Sequence, residues 1–421
     1  MNLILENVRC FTGKHSIPIT PLTFLTGQNS SGKSTLMGMF AAVSSLPGYP
    51  LRPNFDSEPY HLGTYDTIAT YKGGKYGRAR HFSLGLEEDD YRVDTTYRRS
   101  DSGLANVAKL DIAGPSGHFA ATVTGGVLDA TFTYVSSRRA KSPILFKVNL
   151  PPTGEPQYAR ENFFFHTIWR GLEKNNVRSA EAIFHTIAKA FEIQPRISSI
   201  APIRTRPRRT YDKFVDLYSP EGDHIPNILS RMLTSTPGSL DSERANAVVE
   251  FGIEAGLFKK IGIRRLGRLP SDPFQIRVTV SGRSANLHDV GYGISQSLPI
   301  VVQSILTAKR QWLLLQQPEV HLHPQAQAGL GTFFVRMAAK GGKRFLIETH
   351  SDYMIDRVRQ EIAAGNIKAS DVTIVFLDKP ESETSVFPLT LDDAGNILDP
   401  PPSYREFFLR EEMNLLNRER E

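Results

Sequence analysis

The 421 residues, 40% hydrophobic and 22% charged, have the balance of an ordinary globular protein and exclude a disordered or fibrous chain. Lys and Arg (50) slightly outnumber Asp and Glu (44), and this formal charge of +6 permits a nucleic-acid partner without arguing for one. Cys10 is the one cysteine, which excludes an internal disulfide and a Cys-rich zinc site and leads us to expect a cytoplasmic location.

Strands are predicted at 2–8 and 22–26, the second running into Gly27-Gln28-Asn29-Ser30-Ser31-Gly32-Lys33-Ser34. Glu6 and Arg9 interrupt the N-terminus where a signal peptide needs an apolar run. The loop at 27–34 fits G-x-x-x-x-G-K-[ST] at every fixed position, and a helix is predicted after it over 33–45. From about 79 to 148, short alternating segments separated by Gly, Asp and Ser predict antiparallel strands and hairpins. Helical periodicity takes over between 160 and 256, interrupted by the basic, proline-containing loop at 196–214.

Beyond 260 the expected order is strands, an apolar helix at 294–309, a strand ending at Leu315, a helix at 324–339, the strand "RFLIET", a helix after "HSD" and a strand at 372–378. Such alternation predicts a parallel sheet. The apolar segment "SLPIVVQSIL" is short and carries Gln303, and no stretch approaches the ~20 apolar residues of a membrane span. A charged amphipathic helix is expected at 401–421. These patterns suggest an N-terminal lobe at 1–150, a mainly helical insertion at 151–260 and a C-terminal lobe at 261–400.

The loop at 27–34 carries the clearest chemistry. Its glycines let the backbone curl so that N–H groups face phosphate oxygens, and the following helix adds its positive end. Gly27, Asn29, Ser30, Ser31, Gly32, Lys33, Ser34 and Thr35 are therefore the candidate nucleotide-binding residues. Lys33 would reach the β- and γ-phosphates, and the Ser34 hydroxyl would bind Mg²⁺.

Three later segments, "DVGYGISQSLPIVVQSI", "LLLQQPE" and "LIETHSD", follow in an order that resembles ABC-type ATPases. With "APIRTRPRRTY", "QPEVHLHPQAQ" and "ETHSDYMIDRVRQEI", the chain is similar to a bacterial branch of AAA-15/AAA-21 ATPases. That branch is related to the OLD (overcoming lysogenization defect) proteins and more distantly to SMC and RecF heads. The resemblance covers about 1–70 and 196–410 and implies an α/β fold: an ABC-type P-loop head with an antiparallel β subdomain and a helical insertion. It also implies ATP and Mg²⁺ as cofactors and a homodimer or higher oligomer closed around ATP. Each site would join one subunit's phosphate loop to the other's Ser295, with His350 sensing the γ-phosphate. Taken alone, Ser295 also reads as a helix cap and His350 as a strand-end histidine with a local hydrogen bond.

Where the family's strand ends in an acid followed by Gln-Pro-Glu, this chain has Gln316-Gln317-Pro318-Glu319. Position 316 is where a carboxylate supporting Mg²⁺ or polarising water is expected. An amide there keeps the shape but cannot accept a proton or bring negative charge. Two readings stand: a substitution that traps ATP, or a natural variant in which Glu319 does the work. Glu319 also reads as a helix-start acid. His321 and His323 suit a strand-borne metal pair in spacing, but no Cys or convergent acid motif joins them.

Arg204, Arg206, Arg208 and Arg209 read equally as a phosphate- or acid-binding cluster and as a solvated loop stiffened by Pro202 and Pro207. With no helix-turn-helix or zinc finger apparent, any DNA contact is expected to tolerate sequence. The resemblance implies a separate effector partner, commonly a nuclease, in antiphage defence. The ~40 residues after 378 are too few for a fused Toprim domain of the usual ~50 or more. The alternative is a DNA-maintenance ATPase of SMC or RecF type acting on DNA ends or branched DNA.

Overall fold

The computed structural model describes residues 1–44, 49–51, 53–74, 77–134, 143–150, 163–174, 180–212, 217–269, 272–406, 409–410 and 413. The expected C-terminal helix falls mostly outside these residues. The fold is mixed α/β and divides into two compact units. Unit 1 holds 1–19, 28–196 and 377–386; unit 2 holds 20–27, 197–376 and 387–421. These units cut across the segments expected from the sequence. Residues 20–27 group with 197–376 because their strand lies inside the parallel sheet, and helices Phe163–Lys174 and Ala180–Phe191 group with the antiparallel strands they cover.

Unit 1 is built on an eight-stranded sheet in the order Phe11–Pro18, Asn2–Val8, His81–Glu88, Tyr91–Arg99, Ala105–Gly114, Gly117–Thr124, Val127–Tyr134 and Ile144–Asn149. Every neighbouring pair is antiparallel. Period-2 burial, as in Gly117–Thr124, turns alternate side chains into one apolar face. Helix Ala180–Phe191 buries Ile183, Ile187, Ala190 and Phe191, a single stripe at helical spacing, and packs on the strands including Ala105–Gly114. Helix Lys33–Val43 packs near His81–Glu88 and is buried at every position but Ser34.

Unit 2 is built on a seven-stranded sheet in the order Ile197–Ile200, Trp312–Gln316, Arg344–Glu348, Leu22–Gly27, Val372–Asp378, Ser385–Leu391 and Ile397–Leu398. The first four are mutually parallel. Trp312–Gln316 is buried throughout, as expected for a strand covered on both faces. Helices Pro324–Ala339 and Asp352–Ala363 pack together, and Leu240–Glu254 contacts Tyr292–Leu306 and Pro324–Ala339. Tyr292–Leu306 is buried all round from Ile294 to Ile305, which marks it as a core helix. A three-stranded sheet, Lys260–Arg265, Phe274–Thr279 and Ala285–Asn286, completes the unit.

The parallel pairing puts strand ends level. Gln316 is the register partner of Glu348, and Glu348 that of Leu25. The carboxyl edge of a parallel sheet is where ligands bind in open α/β folds.

Candidate nucleotide site

The phosphate loop leaves the strand Leu22–Gly27, and the chain passes from unit 2 to unit 1 between Gly27 and Gln28. Gly27, Ser30 and Gly32 have φ of 134°, 62° and 101°. Glycine is required at 32 twice over. That φ excludes ordinary side chains, and a Cβ would stand 2.7 Å from Cys10 Sγ and 2.9 Å from the Phe11 ring. Gly32 caps helix Lys33–Val43 without a side-chain bond, so the helix start is left to backbone groups.

Lys33 is buried, and its ammonium donates to the Gln28 carbonyl at 2.7 Å. Asn29, Ser30 and Ser34 are exposed. Ser31 is buried, and its carbonyl accepts the Thr384 hydroxyl at 2.9 Å. Thr35 is buried and accepts from Arg9 Nη1 at 3.2 Å; the same guanidinium donates to the carbonyls of Leu62 and Thr67. Lys379 Nζ donates to the Ser30 carbonyl at 3.4 Å. Arg9, Thr384 and Lys379 went unrecognised in the sequence because each reaches the loop only through tertiary folding.

In unit 2, Gln316, Glu319, Glu348 and Arg204 are all over nine-tenths buried. Gln316 Nε2 donates to Glu348 Oε2 at 3.4 Å, while Gln316 Oε1 is buried without a hydrogen-bond partner. Glu319 Oε1 accepts the His350 backbone N–H at 2.7 Å, and its Oε2 is buried and unpartnered. Burial raises the Glu319 carboxyl above the usual range, opposed by hydrogen bonds from the His350 and Glu319 backbone and the Thr349 side chain and by the charge of Arg204. Gln317 takes a positive φ of 44° and donates its N–H to the Glu348 carbonyl at 2.8 Å.

Arg204 corrects the reading of the basic loop as solvated or phosphate-binding at that position. It donates to the carbonyls of Gln317 at 2.9 Å, Gln316 at 3.1 Å and Gln296 at 3.4 Å. Burial lowers its pKa to about 10, against the raising effect of Glu319. The sequence signal was its place four residues beyond a buried strand end, in the apolar context "SSIAPIR". Arg206, Arg208 and Arg209 are exposed, and Arg209 pairs with Asp289 at 2.7 Å.

Ser295 is buried in the first turns of helix Tyr292–Leu306, its hydroxyl donating to the Tyr292 carbonyl at 3.0 Å; the N-cap is Gly291. Gly291 and Tyr292 are exposed. A Cβ on Gly293 would stand 2.8 Å from the His321 carbonyl, which ties this helix start to the "HLHP" loop. His350 is exposed. His323 caps helix Pro324–Ala339 by accepting the Gln325 N–H, and His321 lies against Tyr292 with ring centroids 6.0 Å apart. Among the described residues, no group of three or more His, Cys, Asp or Glu could hold a metal ion.

Residues 173–355 are similar to an AAA ATPase domain. This match spans less than half of the chain and takes in Arg204, Ser295, Gln316, Glu319 and His350, but not the phosphate loop. Solved structures that resemble the chain include the SMC head domain from Thermotoga maritima, at 11% identity over 92% of this chain and 98% of that one, with a TM-score of 0.41. Another is the Smc head domain from Pyrococcus furiosus with an extended coiled coil, bound to the C-terminal domain of ScpA. There the identity is 11% over 100% of this chain and 99% of that one, with a TM-score of 0.42. None of the curated proteins matches. Among the described residues, no helix is long and apolar enough to cross a membrane.

Proposed function

We propose that this chain binds and hydrolyses ATP with Mg²⁺ as a dimeric switch. The phosphate loop carries the reading: a glycine-hinged turn between a strand and a helix, with a buried lysine folded onto the loop's own carbonyl. The similarity of 173–355 to an AAA ATPase domain supports it independently. On binding, Lys33 exchanges the Gln28 carbonyl for phosphate oxygens, and the N–H groups at the helix start meet the same anion. Glu319 is the candidate general base: its raised proton affinity suits taking a proton from water, which the Gln316 amide cannot do.

Within unit 2, the buried and unpartnered Gln316 Oε1 suits a hard cation. Mg²⁺, when bound, would neutralise charge developing on the phosphates. In the dimer, the exposed helix start at Gly291 and Tyr292, with Ser295 behind it, would face the γ-phosphate held by a second copy.

Titration with a labelled, non-hydrolysable ATP analogue tests the reading. Lys33→Ala should abolish the binding that the parent shows, and undiminished affinity would remove the loop from the site. The output we assign is control of a separate effector in bacterial phage defence, supported by the combination of motifs that this chain shares with that branch of ATPases. The DNA-maintenance reading makes the opposite forecast. ATP hydrolysis stimulated by DNA ends, with no toxic or nucleolytic gene beside this one, would replace effector control.

A further inference from the structure

We infer that Glu348 supplies the carboxylate this chain directs to the divalent cation, and that Gln316 holds it there as a hydrogen-bond donor. The acid expected at the end of one strand has in effect moved to the next. This rests on the ATP-binding reading above.

The sheet order carries the argument. Strand Arg344–Glu348 lies between Trp312–Gln316 and Leu22–Gly27, the strand that feeds the phosphate loop. Glu348 is in register with Gln316 on one side and Leu25 on the other, two residues before Gly27. It therefore ends one strand closer than Gln316 to the start of the loop. Register partners on adjacent strands share a face, and the 3.4 Å bond from Gln316 Nε2 to Glu348 Oε2 agrees.

The pairing is chemically asymmetric. Two carboxylates this close would force one to hold a proton. An amide beside one carboxylate donates to it and orients it. Gln316 is thus not a bare loss of an acid: the pair still offers one carboxylate, that of Glu348. The amide that donates through Nε2 keeps its Oε1 buried without a partner, as Glu319 keeps Oε2. Buried polar atoms in native proteins are nearly always satisfied, so both point to a further occupant of the cluster. Mg²⁺ commonly binds through one or two carboxylates plus phosphates and waters, so the single carboxylate of Glu348 is enough.

The test uses the full chain with a non-hydrolysable ATP analogue and Mn²⁺ as the probe, read by electron paramagnetic resonance titration. Glu348→Gln should weaken Mn²⁺ binding by at least the ~10-fold that even outer-shell groups cost. Analogue affinity in EDTA and the melting temperature show whether that variant is folded. The exchange variant Gln316→Glu/Glu348→Gln should recover most of the Mn²⁺ affinity by returning the charge to the neighbouring strand. Unchanged Mn²⁺ binding in Glu348→Gln overturns the inference, and so does a loss that the exchange does not repair. A parent that binds no analogue at all overturns the ATP-binding reading itself.

Discussion

The candidate phosphate loop and the cluster around Gln316 are built by opposite means. The loop is contiguous and works largely through backbone: its distinctive features are the positive φ at Gly27, Ser30 and Gly32, and four of its side chains, Gln28, Asn29, Ser30 and Ser34, are exposed. The cluster is assembled from three segments, and its working groups are side chains held over nine-tenths buried. Binding an anion with oriented N–H groups needs geometry and little burial. Tuning a proton acceptor needs burial, which raises Glu319, and a buried cation, Arg204, to keep the cost in bounds.

Breaking the cluster should therefore cost the most stability. Arg204→Met leaves the carbonyls of Gln296, Gln316 and Gln317 without this donor and Glu319 without its buried counter-charge. We expect a loss of ~3–5 kcal/mol, because three carbonyls lose a charged donor at ~1–3 kcal/mol for each buried group left unsatisfied. Arg206→Met, at an exposed position two residues on, should stay within ~0.5 kcal/mol. Urea unfolding of both variants measures the contrast. Equal effects would mean that Arg204 is as solvated as its neighbours.

Breaking the loop should cost somewhat less stability and all of the binding. Gly32→Ala forces a methyl group into the space of Cys10 and Phe11 at a φ of 101°, at a cost of ~2–4 kcal/mol. Analogue titration should find no binding even at temperatures where the variant is folded. Retained affinity would show that the loop tolerates another backbone path.

The same contrast explains what could be read from the sequence. Nine consecutive residues, Gly27 to Thr35, state the loop's chemistry in one line, and the strand and helix around it follow from local pattern. The apolar runs also announced the strands at 312–316, 344–348 and 372–378. Arg204 stood among other arginines, and only its nearness to the buried strand end at Ile200 separates it from the exposed three. Glu348 lay inside the quoted "ETHSD" yet drew no role, because its meaning depends on register with Gln316 on a strand 32 residues away. Residues that act through sheet register are legible only once strand order is known.

A smaller effect tests the helix that bears Ser295. Ser295→Ala removes one hydroxyl bond to the Tyr292 carbonyl and should cost ~0.5–1.5 kcal/mol. If Ser295 also serves a second copy's γ-phosphate, ATP-dependent dimerisation, followed by light scattering, should fall further than this stability loss explains. Dimerisation equal to the parent's would leave the hydroxyl a purely local role.

The subtlest expectation concerns pH. Burial raises Glu319 in the folded chain above its ordinary value of 4.5. Well below that value both folded and unfolded chains hold the proton, and Glu319 contributes no pH dependence. As pH rises above 4.5, the unfolded chain releases the proton first while the folded chain retains it. Folding stability therefore declines through this window and levels off once the folded group has ionised as well. Glu319→Gln removes that slope. The variant can still accept the His350 N–H through its amide oxygen, so the local hydrogen bond survives. Loss of charge beside Arg204 adds an offset, but Arg204 stays protonated across this range, so the offset does not vary with pH. Chemical unfolding at several pH values from 4 to 7 compares the two slopes. A parent and variant that run parallel would mean that Glu319 ionises as readily in the fold as in water, and its candidacy as the proton acceptor would then lose its physical basis.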